Sequence, residues 1–352
     1  MATVEDVARL ARVSKSTASR ALRGHPAISK ETIERVRMAA EKLHYVPNRA
    51  ATNLARQRSH TVVLFVNNLL ARQTEEFHDG VETVCSQKGY LMMLQKLGDD
   101  KRRSEHYLRL LREMRVEGVI VVPHVRGVHR EEIAMMREWG VPVVQIDNYV
   151  PDSDTDYVGC DNCAGAKMAA DHLLSLGHKR FGVVSSVPAS LSCITERIEA
   201  FRQTVSEQGA FLADVIAAEN SEHNPYEFSR RAMHALLDLP APPTAVFATS
   251  APTAVGVLRA IRERGLRCPR DVAVVAFDDE QFVGYLETTL TAVRWPAYEI
   301  AQTAADLLIR RIVGEETGPP RHVLLKPLLI YRESTLGCRT DIDEEHSLEV
   351  LS

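Results

Sequence analysis

The sequence contains no apolar run near the ~18 residues that a membrane helix needs, so no bilayer span is expected. Aromatic residues make up only 6% of the chain, which leaves aliphatic side chains to build the core. The six cysteines (85, 160, 163, 193, 268 and 338) are scattered, which excludes a disulfide framework and fits a reducing compartment. Histidines are dispersed, and no second ligand pair accompanies Cys160-Asp-Asn-Cys163, so no metal site is expected. There is no Walker loop, no Gly-x-Gly-x-x-Gly and no Gly-x-Ser-x-Gly. Phosphoryl transfer, dinucleotide chemistry and nucleophile-elbow hydrolysis lose their usual carriers. No cofactor and no catalytic residue is expected. The chain opens directly on a helical pattern without a signal peptide, which points to the cytoplasm.

Charge is present, and it is divided. Residues 1–60 carry 12 Lys and Arg against 5 Asp and Glu, while the whole chain is at −4, leaving −11 for the rest. A basic arm on an acidic body is the footprint of a phosphate-gripping head joined to a soluble sensor.

The basic arm reads as three short helices. Thr3 with Asp6 forms a capping-box pattern, and Val4, Val7, Ala8 and Ala11 follow at helical spacing. Ser14 is the cap of a second helix that buries Ala18, Ala21 and Leu22. Lys15, Ser16 and Arg20 are then left facing outward. Short donors and an arginine at that place suit guanine edges and phosphates in a major groove. Ser29 caps a third helix with the stripe Ile33, Val36, Ala40 and Leu43, set off by Gly24-His-Pro26. In Tyr45-Val-Pro-Asn-Arg49 the proline stops that helix, and Asn48 can cap a short one over about 49–56. That segment has almost nothing apolar except Leu54, so it should fold only against a partner or DNA.

Beyond residue 60, short apolar runs alternate with helical stretches. Strands are expected at Thr61–Val66, Tyr90–Leu94, Gly118–Val122 and Val141–Ile146, with helices near 75–88, 102–115 and 129–139 between them. The series restarts at Arg180–Val184, Ala245–Ala248 and Val272–Ala276. Leu290–Val293 and Val323–Leu329 complete it. Near-continuous apolar strands joined by helices specify doubly wound α/β layers, here in two lobes. Ligands in such folds sit at strand C-terminal ends, in the cleft between lobes.

Three stretches, Val4-Glu-Asp-Val-Ala, Val13-Ser-Lys-Ser-Thr-Ala-Ser-Arg20 and Tyr45-Val-Pro-Asn-Arg49, resemble the LacI/GalR family of bacterial transcriptional regulators, and the likeness runs through the chain. The resemblance implies an all-α helix-turn-helix head plus hinge helix, joined to a two-lobed α/β body like the periplasmic binding proteins. It also implies a homodimer on pseudo-palindromic double-stranded operator DNA, controlled by a small sugar-type effector. Lys15, Ser16 and Arg20 match the base-reading positions; Ser14, Thr17, Ser19 and Asn48 are further candidate DNA contacts. Leu54 matches the hinge leucine that family members wedge into the minor groove. Arg12 stands where the turn commonly has glycine or asparagine. In the body, Glu196-Arg-Ile-Glu-Ala-Phe201 matches the family's Arg-x-x-Gly-Phe with Ala200 for glycine, making Arg197 the candidate ligand clamp. Ala276-Phe-Asp-Asp279 puts Asp278 at the strand end where the family's sugar-binding aspartate lies. Asp161 either caps the first helix of the second lobe or accepts ligand hydroxyls.

Departures from the pattern bear on the ligand. Ser250-Ala-Pro252 stands where an Asn-Asp pair is usual, and Ala71-Arg-Gln-Thr74 replaces Asn-Pro-Phe-Phe. Ser250, Arg72, Gln73 and His223 therefore join the candidate effector residues. Fewer acids and more bases favour an acidic or phosphorylated sugar. The implied domains are 1–46 (head), 47–59 (hinge and linker), 60–338 (body) and an acidic tail at 339–352 without leucine heptads, hence a dimer. Within the body, one lobe takes about 60–158 and 291–320 and the other about 159–290 and 321–338. Three other readings stand against a carbohydrate-gene repressor: a sugar-binding protein without a repressor role, a cytosolic hydrolase, and a redox regulator using Cys160 and Cys163.

Overall fold

A computed structural model describes residues 2–46, 58–66, 69, 72–96, 101–123, 129–219 and 224–336 of the 352. The chain divides into two compact units, Met1–Ser59 and His60–Ser352, close to where its charge changes sign.

The head holds α1 (Val4–Ala11), α2 (Lys15–Leu22) and α3 (Lys30–Lys42). Each begins on a side-chain cap, because the first amides of a helix have no partner inside it. Thr3 and Asp6 satisfy one another's backbone N–H groups at 2.9 and 3.3 Å. Ser14 accepts from the Thr17 N–H at 3.0 Å, and Ser29 from that of Thr32 at 3.3 Å. The core is Val7, Ala8, Ala11, Ala18, Ala21, Val36, Ala39 and Ala40. Alanines at the crossings bring the helices close but bury little area, so capping matters to so small a unit. Arg12 closes α1 at φ 54°, a left-handed position that usually favours glycine. The hinge, with Asn48 and Leu54, lies outside the described residues, as does the acidic tail.

The body begins with β1 (Thr61–Val66), α4 (Arg72–Lys88), β2 (Leu91–Lys96), α5 (Lys101–Glu113), β3 (Gly118–Val121), α6 (His129–Glu138), β4 (Val143–Ile146) and β5 (Asp156–Cys160). A second series follows: α7 (Asn162–Ser175), β6 (Arg180–Ser185), α8 (Ser192–Glu207), β7 (Phe211–Ala217), α9 (Pro225–Leu237), β8 (Ala245–Ala248), α10 (Ala251–Glu263) and β9 (Ala273–Phe277). β10 (Thr291–Arg294), α11 (Ala297–Val313), β11 (His322–Leu325) and β12 (Leu328–Ile330) finish both lobes. One sheet has the order β11-β5-β4-β3-β1-β2 and the other β12-β10-β9-β8-β6-β7. All pairs are parallel except β10 with β12. Central strands such as β1, β4 and β9 are buried along their whole length, as helices on both faces require.

Three features correct the sequence reading. β10 belongs to the second sheet beside β9, so the late return to the first lobe starts at α11 and not at 291. The crossover falls at Trp295-Pro296, where proline cannot continue the ladder. The run Val323–Leu329 is two strands, β11 in the first sheet and β12 in the second, broken at Pro327 for the same reason. The first lobe therefore extends to 325, beyond the expected 320. Strands β5 and β7 were not anticipated: one opens on an aspartate and contains Gly159, and the other is a half-exposed edge strand interrupted by Asp214.

Candidate nucleic-acid interface and effector cleft

In the head, α2 presents Lys15, Ser16 and Arg20 to solvent while Ala18 and Ala21 are buried. Its helical period alone separates these faces. Thr17 and Ser19 are half-buried at the border of the exposed face. The Ser14 hydroxyl is engaged as the cap, and meets Ser16 Oγ at 2.9 Å, so its contribution to this face is chiefly to orient it. Arg23 closes the helix by donating from Nε to the Ser19 carbonyl at 2.9 Å. One partner was not legible in the sequence. Glu5, on α1, accepts from Lys15 Nζ at 2.5 Å, and this contact holds the Glu5 carboxyl below its ordinary range. Ten residues of sequence separate the pair, and only the crossing of α1 and α2 brings them together.

In the body, a cavity of about 200 Å³ lies between the lobes. From the first lobe it is lined by Val66, Gln73, Thr74, Phe77, Asp147 and Asn148; from the second, by Leu191, Ile194, Arg197, Ser250 and Asp278. Trp295, on the crossover, completes its lining. Arg197 reaches this place because it lies on the inner face of α8, one turn after its start, and is 3% exposed. Its Nε donates to Asn162 Oδ1 and its Nη1 to the Thr249 carbonyl, both at 2.9 Å. The guanidinium lies 3.6 Å above the Phe277 ring centre and 3.6 Å from Asp278. Among the described residues, Nη2 meets no acceptor.

Asp278 follows β9 and accepts from Trp295 Nε1 at 2.9 Å. Asp147 follows β4 on the opposite lobe. Both aspartates hold left-handed backbone angles, φ 72° and 64°, as residues at sites of function often do. Burial raises the Asp147 carboxyl from 3.8 to about 6, with Arg197 opposing and Asp278 adding to the rise. Burial also raises Asp278, against the pull of Arg197 and the indole hydrogen bond. Phe77 stacks obliquely on Trp295 with ring centres 5.9 Å apart, beneath the cleft. Asp147 and Trp295 were missed in the sequence. An aspartate directly after a buried strand is the signal that could have found the first.

The remaining expectations separate. Arg197, Asp278, Gln73 and Ser250 come together in the cavity. Ser250 also caps α10, accepting from the Thr253 N–H at 3.4 Å. Asp161 caps α7, its carboxylate accepting from the Ala164 N–H at 2.8 Å, and it is not among the described residues that line this cavity. Arg72 is the first residue of α4, but its side chain lies outside the described residues, and so does His223. Local chemistry gives the thiol reading no support. Cys160 is buried at the end of β5 and its thiol is pushed up to about 12; Cys163 is raised as well, chiefly by burial, so neither is a poised thiolate. No group of metal-binding side chains occurs among the described residues. No described helix is long and apolar enough to cross a membrane.

Comparison with known proteins gives two domain matches. Residues 3–48 match the bacterial regulatory proteins, lacI family, and residues 170–335 match a periplasmic binding protein-like domain. The chain is 31% identical over 340 residues to the ribose operon repressor of Escherichia coli (strain K12), covering 95% of this chain and 100% of that protein. It is 33% identical over 343 residues to the HTH-type transcriptional regulator CelR of Thermobifida fusca, covering 94% of this chain and 98% of that one. Among solved structures, a transcriptional regulator CelR–cellobiose complex superposes with a TM-score of 0.71 at 31% identity, over 95% of this chain and 100% of that chain. The Lac repressor dimer bound to operator and the anti-inducer ONPF gives a TM-score of 0.82 at 23% identity, over 95% and 99%, a likeness of fold.

Proposed function

Because the chain belongs to the lacI family of bacterial regulatory proteins, we propose that it represses carbohydrate-utilisation genes under control of a sugar-type effector held in the interlobe cleft. It is a DNA-binding transcriptional regulator and not an enzyme. Such a protein acts in the cytoplasm, on a pseudo-palindromic operator, as a homodimer whose two heads lie about one DNA turn apart. Lys15, Ser16 and Arg20 face base edges. Leu54 wedges into the minor groove, and the duplex kinks there to gain wrapped surface.

The described part of the cleft supports a neutral ligand over an anionic one. An acidic or phosphorylated sugar suited the bases counted in the sequence. The described lining instead sets two carboxylates, the half-buried Asp147 and the buried Asp278, against the guanidinium of Arg197. An added anion would meet net negative charge, whereas hydroxyls can donate to both carboxylates and accept from Nη2 of Arg197. An uncharged sugar resting a ring face on Trp295 satisfies all three. That juxtaposition carries the proposal. Effector binding favours closed lobes, and operator affinity changes only by the difference in ligand affinity between the two states.

A thermal-shift series tests it with D-ribose, cellobiose, gluconate and ribose 5-phosphate. A neutral sugar should raise the melting temperature of the wild type by mass action, and Arg197→Ala should erase the rise. Stabilisation by an anion alone would overturn the neutral-sugar reading. Retention of the sugar effect in Arg197→Ala would overturn the clamp.

A further inference from the structure

Two consecutive residues of the first lobe grip one turn of the second. Asn148 and Tyr149 lie in the loop between β4 and β5; Ser192, Cys193 and Glu196 open α8. The Tyr149 N–H donates to Ser192 Oγ at 3.0 Å, and the Cys193 N–H donates to Asn148 Oδ1 at 3.4 Å. The Tyr149 hydroxyl donates to Glu196 Oε1 at 2.9 Å. The chain of bonds continues inward. Glu196 Oε2 accepts from Asn162 Nδ2 at 2.9 Å, and Asn162 Oδ1 accepts from Arg197 Nε at 2.9 Å. Asn162 is 1% exposed, so its amide has no water to turn to.

We propose that Glu196 and Asn162 are positioning residues that join the grip of Arg197 on the effector to the Tyr149 bond between the lobes. The inference rests on reading the cleft as the effector site. Its physical basis is polarity. An ionised carboxylate only accepts, so Glu196 takes one proton from the tyrosine hydroxyl and one from the Asn162 amide. This fixes the amide with its nitrogen toward Glu196 and its oxygen toward Arg197, which only donates. Burial, and then the bond to Glu196, push the Tyr149 hydroxyl up to about 12, so it remains a donor. Every bond from the first lobe to the guanidinium therefore has a single allowed direction. A ligand that draws on Arg197 changes the hold on Asn162, and Glu196 passes that change to Tyr149. Losing one net hydrogen bond from the closed form shifts the lobe equilibrium roughly fivefold.

The experiment uses the full-length protein and a duplex that the wild type selects from a randomised library, with affinities read by fluorescence anisotropy. Tyr149→Phe removes the interlobe bond and leaves the packing. Glu196→Gln places a donor where Asn162 also donates, so the amide must either lose that bond or turn its nitrogen toward Arg197. Combining Glu196→Gln with Asn162→Asp reverses the donor and acceptor in that link, keeps the net charge and lets the new carboxylate accept from both neighbours. The two single changes should shift operator affinity about fivefold in the same direction, with base preference kept, and the double change should return it to the wild-type value. Wild-type affinity in both single variants would overturn the proposal. So would a double variant that stays with Glu196→Gln, because general damage to the fold is not repaired by exchanging polarity. Tyr149→Phe decides the matter even if the carboxylate variants fail to fold. The expected pattern, found in a wild type that no sugar stabilises, would sustain the network and remove the cleft reading alone.

Discussion

Asp147 and Arg20 show what single side chains contribute at the two ends of the molecule. Burial lifts the Asp147 carboxyl to about 6, above its ordinary 3.8, so the folded protein holds the proton more tightly than the unfolded chain does. Its contribution to stability is therefore lost as pH climbs from about 4 through 6, where the ionised form must be kept in the fold. Melting temperatures across that window should fall less steeply in Asp147→Asn than in the wild type; parallel profiles would assign the slope to other groups. At the head, Arg20 stands exposed on α2, and Arg20→Ala should cost about 1–3 kcal/mol on the operator and relax preference at one base pair. Unchanged selectivity in a randomised-site selection would remove it from readout. Glu5 bears on the same face through Lys15. Its ion pair with Lys15 is solvent-exposed and adds little stability by itself, but it offsets a cation that any phosphate could otherwise recruit.

At the scale of elements, close approach of helices sets the cleft's walls. α4 carries Gln73, Thr74 and Phe77 to the cavity and packs on α11 at Gly80. A Cβ on Gly80 would lie 2.5 Å from the Tyr298 carbonyl oxygen and 2.6 Å from Ala301 Cβ. Backbone cannot yield as a flexible side chain does, so Gly80→Ala should part the two helices and cost about 1–3 kcal/mol, read as a lower melting temperature. An unchanged melt would mean that the pair slides at no cost. The elements also differ in how legible they were. β1, β8 and the three head helices follow from apolar period and capping residues such as Thr3, Ser14 and Ser29. β5 and β7 do not, because an acid-led strand with Gly159 and an edge strand interrupted by Asp214 acquire their conformation from the neighbouring strands they pair with.

The whole molecule is an electrostatic contrast, with +7 in residues 1–60 against −11 elsewhere, and that contrast governs how it meets DNA. If the heads neutralise about six phosphates, operator affinity should fall about a thousandfold between 50 and 200 mM salt. A nearly flat dependence in titrations at four salt concentrations would contradict a phosphate-gripping head. What the sequence determined by itself was local or periodic: the capped helices, the outward face of α2, the alternation that makes two α/β lobes, and the arginine and aspartate at motif positions. Tertiary structure decided which sheet β10, β11 and β12 join, since a strand's partner depends on the slot left open beside it and on where proline halts the ladder. It also decided the chemistry of the cleft. Asp147, Trp295 and Arg197 are far apart along the chain, and only packing brings two carboxylates and one guanidinium to the same cleft, the arrangement on which the proposed preference for hydroxyls rests.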